Sequence, residues 1–126
     1  MKDRFINLAV QQAYQSRMPN RLGSVLVHKK TVLGAGFNKN DHPVLYTNKV
    51  PSLHSNMGLH AEVAAISSLD NKTTKDAILY VVRLRKNDTL AMAKPCSSCE
   101  WVIGAMGIKR VIYSLDDGSF NLMRIR

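Results

Sequence analysis

Two cysteines, Cys96 and Cys99, are the only ones in this chain, and they stand three residues apart directly behind Pro95. Far upstream lies His60-Ala61-Glu62, which holds one of four histidines and opens an apolar stretch. Residues three apart share one face of a helical turn. Thiolates and a neutral imidazole are what zinc takes, and three protein ligands is the count of a site that keeps its fourth tetrahedral position for water. A fold that uses this set must bring the start of one helix, carrying His60, to the start of another, carrying Cys96 and Cys99. Pro95 suits a helix start because its missing N–H would be unpaired there anyway. The positive end of the helix dipole then favours thiolates over thiols. On a regular helix Glu62 does not face His60. If the helix begins near Leu59, both sit in its first turn, and a metal off the helix tip meets both.

Other readings of the cysteines stay open on spacing alone. A dithiol redox pair would lack the aromatic-Cys-Gly-Pro-Cys pattern. Half of a structural zinc site would need a second cysteine pair, and the chain has none. His60-Ala61-Glu62 followed by Pro95-Cys96-Ser97-Ser98-Cys99 resembles the signature of the cytidine deaminase superfamily. Gly34-Ala35-Gly36-Phe37-Asn38 resembles the strand end whose Asn touches the substrate sugar in that family. Gly107-Ile108-Lys109-Arg110-Val111-Ile112-Tyr113 resembles the strand after the cysteine helix in deoxycytidylate-type members. The likeness runs from about residue 20 to 115.

The resemblance implies a three-layer α/β fold and zinc-dependent hydrolytic deamination of cytosine to uracil in a cytidine-type nucleotide, deoxycytidylate-like. It implies zinc on His60, Cys96 and Cys99, with Glu62 as the catalytic proton carrier. Asn38 is then a sugar contact and Tyr113 a wall of the base pocket, with Ala61 and Pro95 as further substrate contacts. Alternatives are cytosine in single-stranded DNA or RNA, adenosine in tRNA, and a non-catalytic zinc binding module, which would have no need of Glu62.

The 126 residues, 45% apolar and 21% charged, suit one folded domain over residues 1–126. No run reaches the roughly 18 apolar residues of a membrane span, and the first residues do not read as a secretory signal. Two cysteines in a metal motif fit a reducing, cytoplasmic setting. Eighteen Lys and Arg against nine Asp and Glu leave a formal charge of +9. That excess suits a single-stranded nucleic acid as partner, and equally a substrate phosphate or plain solubility. A homo-oligomer is left open.

The pattern predicts a helix over 3–16, with Trp101, Val102, Ala105 and Met106 as core of a second, later helix over 97–106 closed by Gly107. Strands are expected over 24–29 and 31–37, around a Lys29-Lys30 turn, and over 77–83 and 109–114. Residues 38–58 read as a long loop rimming the site, with His42 and His54 as solvated loop histidines, and residues 59–70 as the first catalytic helix. Arg83, Arg85 and Lys86 read either as a solvated turn or as phosphate contacts. Residues 120–126 read as strand or short helix. The sum is a mixed sheet of four or five strands with helices on both faces.

Overall fold

The computed structural model describes residues 3–38 and 74–125. In chain order the elements are α1 (Asp3–Gln15), β1 (Arg21–His28), β2 (Thr31–Phe37), β3 (Ile78–Leu84), β4 (Leu90–Ala91), α2 (Ser97–Ala105), β5 (Arg110–Ser114) and β6 (Phe120–Arg124). The strands form a six-stranded sheet in the order β2-β1-β3-β5-β6, with β4 beside β3. Among the described strands only β3 and β5 pair in parallel; the other pairs are antiparallel. A parallel pair needs a crossover, and α2 supplies it.

Side chains alternate across a strand, and here both faces are covered. Val25 and Val27 of β1 and Tyr80, Val82 and Leu84 of β3 pack with Phe5, Ala9 and Ala13 of α1. Leu26, Leu79, Val81, Val111 and Tyr113 join the other core, with Cys99, Val102, Ile103 and Met106 of the α2 segment. This double cover is why residues 77–83 read as an almost unbroken apolar run. The fold is the expected helix–sheet–helix sandwich. Its helix α1 sits very close to β1, because Ala9 and Ala13 meet Gly23. A Cβ on Gly23 would lie 2.1 Å from the Ala9 carbonyl oxygen.

Helix α2 buries Cys99, Val102, Ile103 and Met106. They are spaced i, i+3, i+4, i+7, the stripe of a helix lying on a sheet. Trp101 and Ala105, expected in the core, fall on the opposite side. Trp101 is 60% exposed. The buried sulfur of Cys99 sets the rotation of the helix and turns Trp101 outward. At its C-terminus Gly107 adopts φ +78. Its N–H donates to Gly104 O at 3.0 Å, and the Ile108 N–H donates to Ile103 O at 3.2 Å. That pair of bonds is a Schellman closure, which needs the left-handed residue that glycine tolerates.

Strand β4 is the sixth strand, beyond the four or five expected. It pairs Leu90 with Leu84 and Ala91 with Arg83. It takes the edge of β3 past the point where β5 ends. Arg85 pins this hairpin. Its Nη1 donates to Leu90 O at 2.5 Å and its Nη2 to Asp116 O at 3.1 Å. The same Asp116 accepts from the Met92 N–H at 2.9 Å. Residues 120–124, undecided by their pattern, are a strand because the preceding turn is tight. Gly118 takes φ +86, and Asp117 Oδ1 accepts from the Ser119 hydroxyl and its N–H. These two bonds, the hydroxyl first, hold the Asp117 carboxyl below its usual range. Among the described residues no helix is long and apolar enough to cross a membrane.

Candidate metal centre and substrate pocket

Cys96 is the N-cap of α2, with φ −70 and ψ 167. Its carbonyl accepts the first helical bond, from the Glu100 N–H at 2.9 Å. Its side chain does not cap the helix. Cys96 is exposed and Cys99 is fully buried one turn on, and neither is in a disulfide. The helix start thus carries two soft sulfur donors, of the kind that select zinc. Among the described residues no three His, Cys, Asp or Glu side chains gather into a metal site. His60, Ala61 and Glu62 lie outside the described residues, as do His42, His54 and the expected loop and helix over 39–70.

Beside Cys96 opens a cavity of about 200 Å³, lined by Asn20, Leu22, Arg83, Met92, Ala93, Lys94 and Cys96. Three parts of the chain meet there: the entry to β1, the end of β3 and the segment after β4. Ser114 ties two of them together. Its hydroxyl donates to Ala91 O at 2.6 Å and accepts from the Arg83 N–H at 3.2 Å. Its carbonyl accepts from the Ala93 N–H at 2.9 Å. Arg83 Nη2 donates to Asn20 Oδ1 at 2.9 Å, while its Nε–H is buried with no acceptor among the described residues. An unsatisfied buried donor costs about 1–3 kcal/mol, more for a charged group.

Asn38 is buried behind the same wall. Its Oδ1 accepts from the Leu22 N–H at 2.9 Å and the Ser16 hydroxyl at 2.7 Å. Its Nδ2 donates to Asn20 O at 2.6 Å. Asn38 therefore holds two lining residues, Asn20 and Leu22, in place. The second Nδ2 hydrogen takes no part in these bonds. Pro95 is buried next to Cys96. Tyr113 is buried in the α2-side core, its hydroxyl accepting from Asn121 Nδ2 at 3.1 Å. It is not among the residues lining the cavity beside Cys96.

The structure separates the three cations that the sequence groups together. Arg83 lines the cavity, Arg85 is spent on the β4 hairpin, and Lys86 stands exposed in the turn. Strand alternation carries the signal: Arg83 shares its parity with Leu79 and Val81, whose side chains face α2. Asn20, Met92 and Lys94 belong to no motif and are brought to the site by the sheet alone.

Comparison with known proteins agrees with this geometry. A family model described as the cytidine and deoxycytidylate deaminase zinc-binding region matches residues 1–115. A deoxycytidylate deaminase of Mycobacterium phage D29 is 27% identical over 125 residues, covering 86% of this chain and 90% of that protein. Cytidine deaminase from Burkholderia pseudomallei superposes with a TM-score of 0.70 at 16% identity, covering 99% of this chain and 93% of the other. The dCMP deaminase of cyanophage S-TIM5 superposes with a TM-score of 0.60 at 22% identity, covering 92% and 86%. The chain belongs to the cytidine and deoxycytidylate deaminase zinc-binding family, and its activity is of the cytidine/dCMP deaminase type.

Proposed function

We propose that this chain, as one deaminase domain over residues 1–126, hydrolyses the amine of cytosine in a free cytidine nucleotide of deoxycytidylate type. Cytosine and water become uracil and ammonia. The observation that carries the nucleotide reading is the small cavity beside Cys96, where Arg83 and Lys94 flank apolar Leu22 and Met92. It suits a compact ligand with one anionic end. The S-TIM5 enzyme is known in complex with dCMP and dUMP, which supports the same class of substrate.

His60, Cys96 and Cys99 would hold the zinc, and the sulfur pair at the start of α2 fits that donor set. When bound, zinc supplies the Lewis acidity that makes water a nucleophile near neutral pH. Glu62 takes the proton from that water and passes it to the ring nitrogen. It then takes the hydroxyl proton from the carbon that has added water and passes it to the amine, which leaves as ammonia while that carbon becomes the uracil carbonyl. The Cys96 backbone N–H, at a helix start, steadies the charge that develops on oxygen. Arg83 and Lys94 bind the phosphate, Asn38 steadies the pocket wall by holding Asn20 and Leu22, and Ala61 and Pro95 bound the base. The formal +9 charge supports a second reading, cytosine in a single strand.

Arg83→Gln tests the assignment. A charge-assisted hydrogen bond contributes about 1.5–3 kcal/mol. kcat/KM for dCMP should therefore fall by roughly 10- to 100-fold, with deoxycytidine turnover little changed. Arg85→Gln should leave the preference for dCMP intact. Equal losses on dCMP and deoxycytidine in Arg83→Gln would remove Arg83 from phosphate recognition.

A further inference from the structure

At the other end of the sheet lies a larger cavity, of about 490 Å³, whose residues play no part in the site above. Its lining includes buried Phe5, Val27 and Tyr80, and its rim carries Lys29, Lys30 and Arg110. His28 and Ile78 add to the wall, and Asp76 is its one carboxylate among the described residues. Ile78 begins β3 and Arg83 nearly ends it, so the two cavities stand about 17 Å apart along the strand.

Three features of this cavity point to an anion. Tyr80 is 5% exposed and lines the cavity together with Arg110. Burial raises its pKa and Arg110 only partly opposes this. The group is therefore a protonated donor at neutral pH. Next, three cations and one carboxylate stand among the described lining residues. Last, both lysines sit at positive φ, Lys29 at 48 and Lys30 at 71. That two-residue hairpin turn favours Asn-Gly, and lysine is strained in it. The strained turn sets two adjacent lysines at the rim, and Arg4 Nη2 braces it by donating to Lys30 O at 3.4 Å.

We propose that this cavity is a second binding site, which takes the terminal phosphoryl group of a small phosphorylated molecule. Lys29, Lys30 and Arg110 neutralise the phosphoryl, the Tyr80 hydroxyl donates to it, and Phe5 and Val27 floor the apolar remainder. The volume lies in the range of small-molecule sites. A terminal phosphoryl enters end-on, past the rim cations, towards the Tyr80 hydroxyl. A phosphodiester within a strand carries a substituent on each side and is stopped at the rim.

Titration calorimetry and amide NMR with inorganic pyrophosphate test this on the full chain. Saturable binding should shift the amides of His28, Lys29, Lys30 and Arg110. Lys30→Gln and Arg110→Gln should each weaken it about tenfold or more. Tyr80→Phe, which keeps the ring that packs on Phe5, should weaken it without loss of fold. Arg83→Gln should leave these shifts unchanged, which separates this site from the one beside Cys96. A dinucleoside monophosphate, whose only phosphate is a diester, should not compete. Absence of saturable binding, wild-type affinity in all three variants, or equal competition by the diester would overturn the proposal.

Discussion

Cys96 and Cys99 differ in one respect that the motif hides: one sulfur is exposed and the other is fully buried. The two serine variants should therefore behave differently. Both should lose zinc, measured as metal per chain after purification, because three ligands leave none to spare. Cys99→Ser should in addition destabilise the metal-free protein by about 1–3 kcal/mol, since it buries a hydroxyl in the apolar α2 core. Cys96→Ser should leave metal-free stability nearly unchanged in chemical denaturation. Full zinc in both variants would remove the pair from the metal site. The cysteine pair was readable from the sequence because cysteine is so rare here that its chemistry dominates. Arg83 was not, because a cation after an apolar run looks the same whether it meets solvent or a cavity. Only the pairing of β3 with β1 and the folding-back of residues 92–94 give Arg83 a site to line. Asn38 reads as a functional loop residue, and its bonds to Asn20 and Leu22 depend on contacts that no local pattern encodes.

Helices and strands followed the periodicity where burial is one-sided or complete, as in α1 and β3. Strand β4 escaped it because two residues carry no period, and its pairing is held by Arg85 and Asp116 from separate turns. Strand β1 begins at Arg21, earlier than its pattern suggests, because Arg21-Leu22-Gly23 resembles a turn until β3 pairs with it. Gly23 itself is where α1 meets the sheet. Gly23→Ala would place a methyl 2.1 Å from the Ala9 carbonyl oxygen and 2.4 Å from the Ala13 nitrogen. Neither neighbour is a flexible side chain, so α1 must lift from β1. The cost should be at least the roughly 1–3 kcal/mol of an overpacked core, read as a lower midpoint in chemical denaturation. An unchanged midpoint would mean that α1 does not pack on β1 at Gly23. By contrast, Gly118→Ala meets no atom within 4 Å. Its cost should come only from the positive φ, about 1–2 kcal/mol.

Across the whole chain, the sheet gathers basic groups at two separate places. One is the cavity beside Cys96, with Arg83 and Lys94; the other is the hairpin end, with Lys29, Lys30 and Arg110. These five groups are part of the eighteen Lys and Arg behind the formal charge of +9. The proposed substrate class rests on the pocket beside Cys96, and net charge alone is a poor guide to it. The most direct measurement is turnover of dCMP by the zinc-loaded protein, following dUMP and ammonia together, beside a cytosine-containing single-stranded oligonucleotide at the same cytosine concentration. The expected result is dUMP and ammonia in equal amounts and little uracil in the oligonucleotide. Glu62→Ala should keep its zinc yet lose about 10²- to 10⁴-fold in rate. Uracil formed in the oligonucleotide but not from dCMP, or full activity in Glu62→Ala, would contradict a free-nucleotide deaminase that moves its protons through Glu62.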